Sequence, residues 1–315
     1  MTIELAASRK ALNYAHPIDI ADETMAPDHL ATAWIGMDLT LLDACVGPGI
    51  DPDCRAQVNF PRLASTVKAA HKGGIDFISL GAEFKNDSSS TDAECEYDAA
   101  KTCSRLAQVS EGGVFAGVAG CPEAMDVAID LLAAQDEGWA GLTITLATDS
   151  DFAGVEEAAR NARAAGIKIA VIITNPSISA ERAKIIASIA DAVRLRVSDP
   201  HLAREARFAI RAAGQELGKN ILVFAELGIV ISGSVTAAEE RALLIERMFG
   251  CQPFEGIAHV YGTIYSVADT IESWVGYGAA DGIILVPASL PTDLASVLRG
   301  VLPLLDARAQ INVEK

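Results

Sequence analysis

Glu226 stands inside Ala225-Glu226-Leu227-Gly228-Ile229-Val230, one acidic residue in an otherwise apolar run. A carboxylate in such a run is costly unless it is paired or reaches water. It therefore reads either as an ion pair that fills a core or as a ligand contact. Other polar residues follow apolar runs directly: Glu83, Gly117 to Gly120, Thr145 to Asp149, Thr174-Asn175 and Ser198-Asp199. Carboxylates and hydroxyls at these points would bind the polar edges of a small molecule, and glycines would let backbone come close to it. Ser198-Asp199-Pro200 has a plainer reading too, as cap residues and proline opening a helix. No nucleophile and base stand in a readable pattern, and no strand-end lysine or histidine pair converges, so no catalytic residue is assigned.

The elements that must carry these residues alternate. Short apolar runs at 32–40, 75–80, 114–119, 139–147, 168–174, 191–197, 220–232 and 283–286 predict strands. Ile283-Ile284-Leu285-Val286 is wholly apolar, as in a strand covered on both faces. Between the runs, apolar residues recur at helical spacing, as in Leu63, Val67 and Ala70, or Val267, Ile271, Trp274 and Val275. Gly73-Gly74, Gly166, Gly218, Gly276 and Gly278 stop these helices. Strands alternating with helices, without an evident linker, predict parallel βαβ units of the α/β class. Eight such units in one 315-residue domain, residues 1–315, favour a TIM (β/α)8 barrel. No Gly-x-Gly-x-x-Gly follows an early strand, which argues against an open dinucleotide-binding sheet. In a TIM barrel the site forms at the C-terminal ends of the strands, and the polar residues named above fall there.

Three stretches read as irregular. Residues 1–29 contain a short helix candidate, Ala6 to Tyr14, and are otherwise punctuated by proline. Cys45 to Pro61 is long for a structural loop and suits a cover over a site. The acidic, serine-rich stretch around Ser88-Ser89-Ser90 reads as a mobile loop whose carboxylates oppose an anion.

Acidic residues outnumber basic ones 42 to 25, a net charge of −17. That leaves no electrostatic footprint for nucleic acid or for an anionic membrane. The six cysteines and five histidines are scattered without metal-ligand spacing, so no metal site and free thiols are expected. With no apolar leader or long apolar run in view, the expectation is a soluble cytoplasmic protein.

The segment 261–305 resembles the C-terminal signature of the bacterial luciferase-like flavin-dependent monooxygenases. The residues that carry it are Gly262-Thr263, Val267-Ala268-Asp269, Trp274, Ala279-Ala280-Asp281-Gly282, Pro287, Leu290-Pro291, Leu294 and Val301 to Leu305. Gly74-Ile75-Asp76-Phe77, Asp98-Ala99-Ala100 to Gly117, Asp130-Leu131-Leu132 to Gly141 and Ala190-Asp191-Ala192-Val193 are similar to earlier family elements, while 1–60 is poorly matched. The resemblance implies a luciferase-like barrel that binds reduced FMN, supplied by a separate flavin reductase, and uses it with oxygen to oxidise a small-molecule substrate. It also implies a homodimer. A deazaflavin-dependent branch would transfer hydride instead. On this reading Glu83, Gly117, Thr145, Ser198 and Glu226 are the cofactor-binding candidates. The chain departs from the family where its Ala-Asp would fall on Gly81-Ala82 and its turn arginine on Trp139. The region between the fourth and fifth strands also lacks a flavin-covering insertion. These departures keep open a non-catalytic member, either a flavin-binding paralogue or a heteromer subunit.

Overall fold

The computed structural model describes residues 33–40, 59–86, 95–133, 139–147, 152–249, 254–290 and 292–313. The candidate helix at Ala6 to Tyr14, the serine run, Asp149, Pro291 and nearly all of Cys45 to Pro61 lie outside them. Pro61 itself belongs to a helix.

Strands and helices alternate as β1 (Trp34–Asp38), α1 (Phe60–Lys72), β2 (Phe77–Leu80), α2 (Asp98–Ala107), β3 (Gly113–Ala119), α3 (Pro122–Leu132) and β4 (Trp139–Thr145). Then follow α4 (Phe152–Ala164), β5 (Lys168–Ile173), α5 (Ala180–Ile189), β6 (Ala192–Leu195), α6 (Pro200–Glu216) and β7 (Leu222–Ile231). The chain continues with α7 (Val235–Phe249), β8 (Ala258–Gly262), α8 (Ile264–Gly276) and β9 (Gly282–Pro287). It ends in α9 (Thr292–Ser296), a π-helical turn (Val297–Val301) and α10 (Leu302–Val313). β1 to β7 pair in chain order, and β9 pairs with both β7 and β1. All pairings are parallel, so the sheet closes into the expected eight-stranded barrel.

β8 is the element the sequence pattern did not announce. β6 has only four residues and pairs β7 no further than Ala225. The same edge of the ten-residue β7 is therefore open from Leu227 onward, and β8 takes it, pairing Leu227–Ile231 outside the barrel wall. Pairing of exposed N–H and C=O groups drives this, and it needs a partner that local periodicity does not reveal.

The helices begin and end for local reasons. Asn59, Ser179 and Asp199 cap α1, α5 and α6 by accepting the N–H of Arg62, Arg182 and His201. Thr263 and Ser266 form a capping box at α8. After α1 the chain passes through Gly74 at φ 103°, a conformation open to glycine. α1 turns Leu63, Val67 and Ala70 onto the barrel, as their spacing predicts. Cys103 and Cys121 are free thiols. Among the described residues no helix is long and apolar enough to cross a membrane, and no group of side chains could hold a metal ion.

One device recurs three times at the N-terminal ends of the strands. Asp76, Asp191 and Asp281 each donate a backbone N–H to the carbonyl of Ile35, Ile169 and Val223, at 2.8, 2.8 and 2.7 Å. Each carboxylate accepts the N–H of that same residue in return, at 2.7, 2.9 and 2.8 Å. The aspartate thus supplies the acceptor that a backbone carbonyl would supply one step further along the ladder. Asp281 also takes the guanidinium of Arg207 at 2.5 Å. The aspartates of the Ala-Asp-Gly and similar motifs are therefore structural, and lie at the end of the barrel opposite the site. Asp281→Asn should cost about 1–3 kcal/mol, since the amide can still accept from Val223 but forfeits the charged pair. Urea unfolding of the variant measures it.

Above these aspartates the barrel is plugged by aromatics. Phe77, Phe115 and Phe224 are buried and pack with Trp34, Trp139 and Ile284. Phe77 meets Phe115 at 5.3 Å and Phe224 at 5.2 Å between ring centroids, and Phe115 meets Trp139 edge-on at 5.2 Å. Glycines on neighbouring strands make the room: a Cβ at Gly36, Gly113 or Gly141 would lie 2.3, 2.2 or 2.3 Å from the ring of Phe77, Trp139 or Phe115.

Candidate functional site

Above the aromatic plug the barrel interior turns polar. Arg194 on β6 points into the barrel and is 5% exposed. Its Nε donates to Glu226 Oε1 at 3.0 Å, Nη1 to Ser79 Oγ at 2.5 Å and Nη2 to Asp38 Oδ2 at 2.9 Å. Two positions on, Arg196 faces the mouth and reaches Glu226 Oε2 at 3.2 Å, its side chain 44% exposed. Asp38 Oδ1 accepts the N–H of Thr40 at 2.9 Å, and Thr40 Oγ1 accepts the N–H of Gly81 at 2.6 Å. The network joins β1, β2, β6 and β7, with two arginines balancing two carboxylates. Burial works against the charge of Arg194. The carboxylates of Glu226 and Asp38 more than offset this and hold the guanidinium above its ordinary pKa. Burial, and secondarily the charge of Asp38, pushes the Cys103 thiol up, so it stays protonated.

A cavity of about 230 Å³ opens above this network at the C-terminal ends of the strands. Thr143 forms part of its wall, 2% exposed, and its hydroxyl has no hydrogen-bond partner among the described residues. Thr145, Ile172 and Val286 continue the wall, and Phe254, Glu255 and Ile257 border it from the segment before β8.

Of the residues singled out from sequence, Glu83, Gly117, Thr145 and Glu226 meet in this cavity. Glu226 pairs with Arg194, as its core ion-pair reading expects, and it also lines the open space. At Gly117 a Cβ would fall 2.2 Å from the backbone N of Ala82, so glycine lets the end of β3 lie against the turn after β2. Ser198 is not in the cavity: it is exposed, beside the Asp199 that caps α6. The helix-opening reading of Ser198-Asp199-Pro200 is the one the structure realises. Thr174-Asn175 also stays outside, with Asn175 accepting the N–H of Ser177 in a local turn.

Asp38, Thr143, Arg194, Arg196 and Phe254 were not anticipated. Asp38 and Arg194 are charged residues in otherwise apolar strands, the signal that picked out Glu226, and the same test finds them. Thr143 lies two residues before Thr145 on one strand and shares its face. Nothing local marks Phe254, which comes to the cavity through the course of the chain between α7 and β8.

No family model matches the sequence, and no curated protein matches it. Solved structures do match. EDTA monooxygenase (EmoA) from Chelativorans sp. BNC1 aligns over 88% of this chain and 94% of its own, with TM-score 0.66 and 11% identity. Riboflavin lyase (RcaE), solved with modified FMN and riboflavin, aligns over 88% and 92%, with TM-score 0.56 and 13% identity. The coenzyme F420 dependent tetrahydromethanopterin reductase from Methanopyrus kandleri aligns over 87% and 99%, with TM-score 0.54 and 12% identity. The fold is the luciferase-like barrel. Within it, the cavity above Arg194 occupies the end of the barrel where such folds carry their sites.

Proposed function

We propose that this luciferase-like protein is a flavin-dependent oxidoreductase that uses reduced FMN and oxygen to oxidise a small organic substrate at the barrel mouth. One observation carries the reading. The Thr143 hydroxyl is buried in the cavity wall without a partner, and a heteroatom on a bound ring would satisfy it. The fold adds support, because the proteins that share it include a monooxygenase, an enzyme solved with modified FMN and an F420-dependent reductase.

The described residues fit the ring of a flavin better than its phosphate. A flat ring with carbonyl and N–H edges matches the hydroxyls of Thr143 and Thr145 and the outward nitrogens of Arg196, while Phe254 and Val286 offer apolar wall. At about 230 Å³ the space is below the ~300–1,000 Å³ typical of whole-ligand pockets. Its only cations among the described residues, Arg194 and Arg196, are already paired. Bound reduced flavin would supply the electrons. The chain would supply position and shelter: Thr143 fixing one ring edge, Arg196 offering charge at the mouth, and the Arg194 network closing the floor to water. A separate flavin reductase and a homodimer belong to the same proposal.

F420 in place of FMN would make the reaction a hydride transfer. A non-catalytic role has one observation in its favour, the small space left above a barrel interior that Arg194 fills. Anaerobic titration with oxidised FMN, reduced FMN and F420 tests all three. Reduced FMN should bind, and Thr143→Val should weaken it about tenfold, the worth of one buried hydrogen bond. Binding of F420 alone would redirect the reaction to hydride transfer, and no binding of either cofactor would leave the non-catalytic role.

A further inference from the structure

We infer that the cavity selects small organic cations over anions of the same shape, so that the substrate of the proposed reaction carries an ammonium or similar positive group. The link to a reaction rests on the flavin reading; the charge preference stands on the cavity alone.

Among the described residues four acidic ones line the cavity, Asp38, Glu83, Glu226 and Glu255, against the basic Arg194 and Arg196. They are not equivalent. Asp38 and Glu226 are committed to the two arginines, at 2.8 to 3.2 Å. Glu83, in the turn after β2, and Glu255, in the segment before β8, are exposed and make no ion pair with another described residue. The two arginines and their two carboxylates thus balance, and the unpaired Glu83 and Glu255 leave the cavity net negative. Thr143 is the independent sign of a ligand: a buried hydroxyl, without a partner among the described residues, on a residue that lines the same space.

A ligand that hydrogen-bonds Thr143 with one end and carries a positive charge at the other keeps that charge near Glu83 and Glu255. Phe254, on the same wall, offers apolar surface to the body of such a ligand. An anion in that place meets two uncompensated carboxylates, and from Arg196 only the charge that Glu226 leaves free. The net charge of −17 adds a field of the same sign.

The test titrates the full chain with benzylammonium and with benzoate by calorimetry. These are planar probes of similar size and opposite charge. At low salt benzylammonium should bind about tenfold tighter, what one or two exposed ion pairs supply. The advantage should shrink at high salt and in a Glu83→Gln/Glu255→Gln double variant. It should survive in Glu239→Gln/Glu240→Gln, which removes the same charge from the exposed surface of α7. Equal or tighter benzoate binding, an advantage that the rim variant leaves unchanged, or no binding of either probe would overturn the inference. The flavin titration is read separately: a chain that prefers the amine and binds no flavin refutes the flavin reading and keeps the charge preference.

Discussion

Arg194→Met should lower stability by about 3–5 kcal/mol, the usual cost of leaving a buried ion pair without one partner. Here the cost falls on two carboxylates at once. Asp38 and Glu226 lose the guanidinium that holds them at 2.9 and 2.8 Å, and Ser79 loses its partner. Glu226 keeps Arg196, but that side chain is half in water and reaches it at 3.2 Å. Against a total stability typically of ~5–15 kcal/mol, the loss would be visible as a large fall in the urea midpoint with little change in slope. Arg194→Lys keeps the charge but not the planar fork that serves three partners, so it should lie between wild type and methionine. Adding Asp38→Asn and Glu226→Gln to Arg194→Met removes the orphaned charges and should recover much of the loss. If the triple variant is no more stable than Arg194→Met, uncompensated charge is not the cause.

Phe77→Ala should cost a similar ~3–5 kcal/mol for a different reason. Phe77 is 1% exposed and sits among Phe115, Trp139 and Phe224, a layer below the cavity. Removing its ring leaves a void that a closed barrel cannot collapse to fill, because the surrounding strands are tied to one another on both sides. A double-mutant cycle isolates the packing. Gly36→Ala alone places a methyl 2.3 Å from the Phe77 ring and should destabilise by about 1–3 kcal/mol. In the Phe77→Ala background the same methyl enters the void, and its cost should largely disappear. Additive losses in calorimetric melts would refute this account of the plug.

The barrel was legible because its signals are local. A strand buried on both faces must be apolar, a helix packed on it must repeat near every fourth residue, and caps such as Asp199-Pro200 act within a turn. Alternation of the two over the chain leaves few topologies. β8 escaped this reading, since it exists to pair an edge of β7 left bare by the shortness of β6, and that bareness is a relation between distant strands.

The site was half legible. Glu226 announced itself because a charge in an apolar strand needs a reason, and Asp38 and Arg194 obey the same logic. Which charges pair with which was settled only by closure of the barrel, which brings β1, β2, β6 and β7 around one guanidinium. Asp76, Asp191 and Asp281 show the converse. Their motifs marked the fold by sequence, yet the structure sets them at the N-terminal end of the barrel as ladder acceptors. Ser198 fell outside the cavity for a related reason: residues that open a helix, as Ser198 does beside the cap Asp199, and residues that touch a ligand are of the same types, and direction alone separates them. Sequence by itself determined the class, the alternation and the positions where charge had to be explained, because burial imposes those demands residue by residue. Only the tertiary structure decided that Arg194 and Arg196 neutralise Asp38 and Glu226, that Glu83 and Glu255 are left to face the mouth, and that the Thr143 hydroxyl is buried there without a partner among the described residues. Those facts depend on through-space distances between strands far apart in the chain.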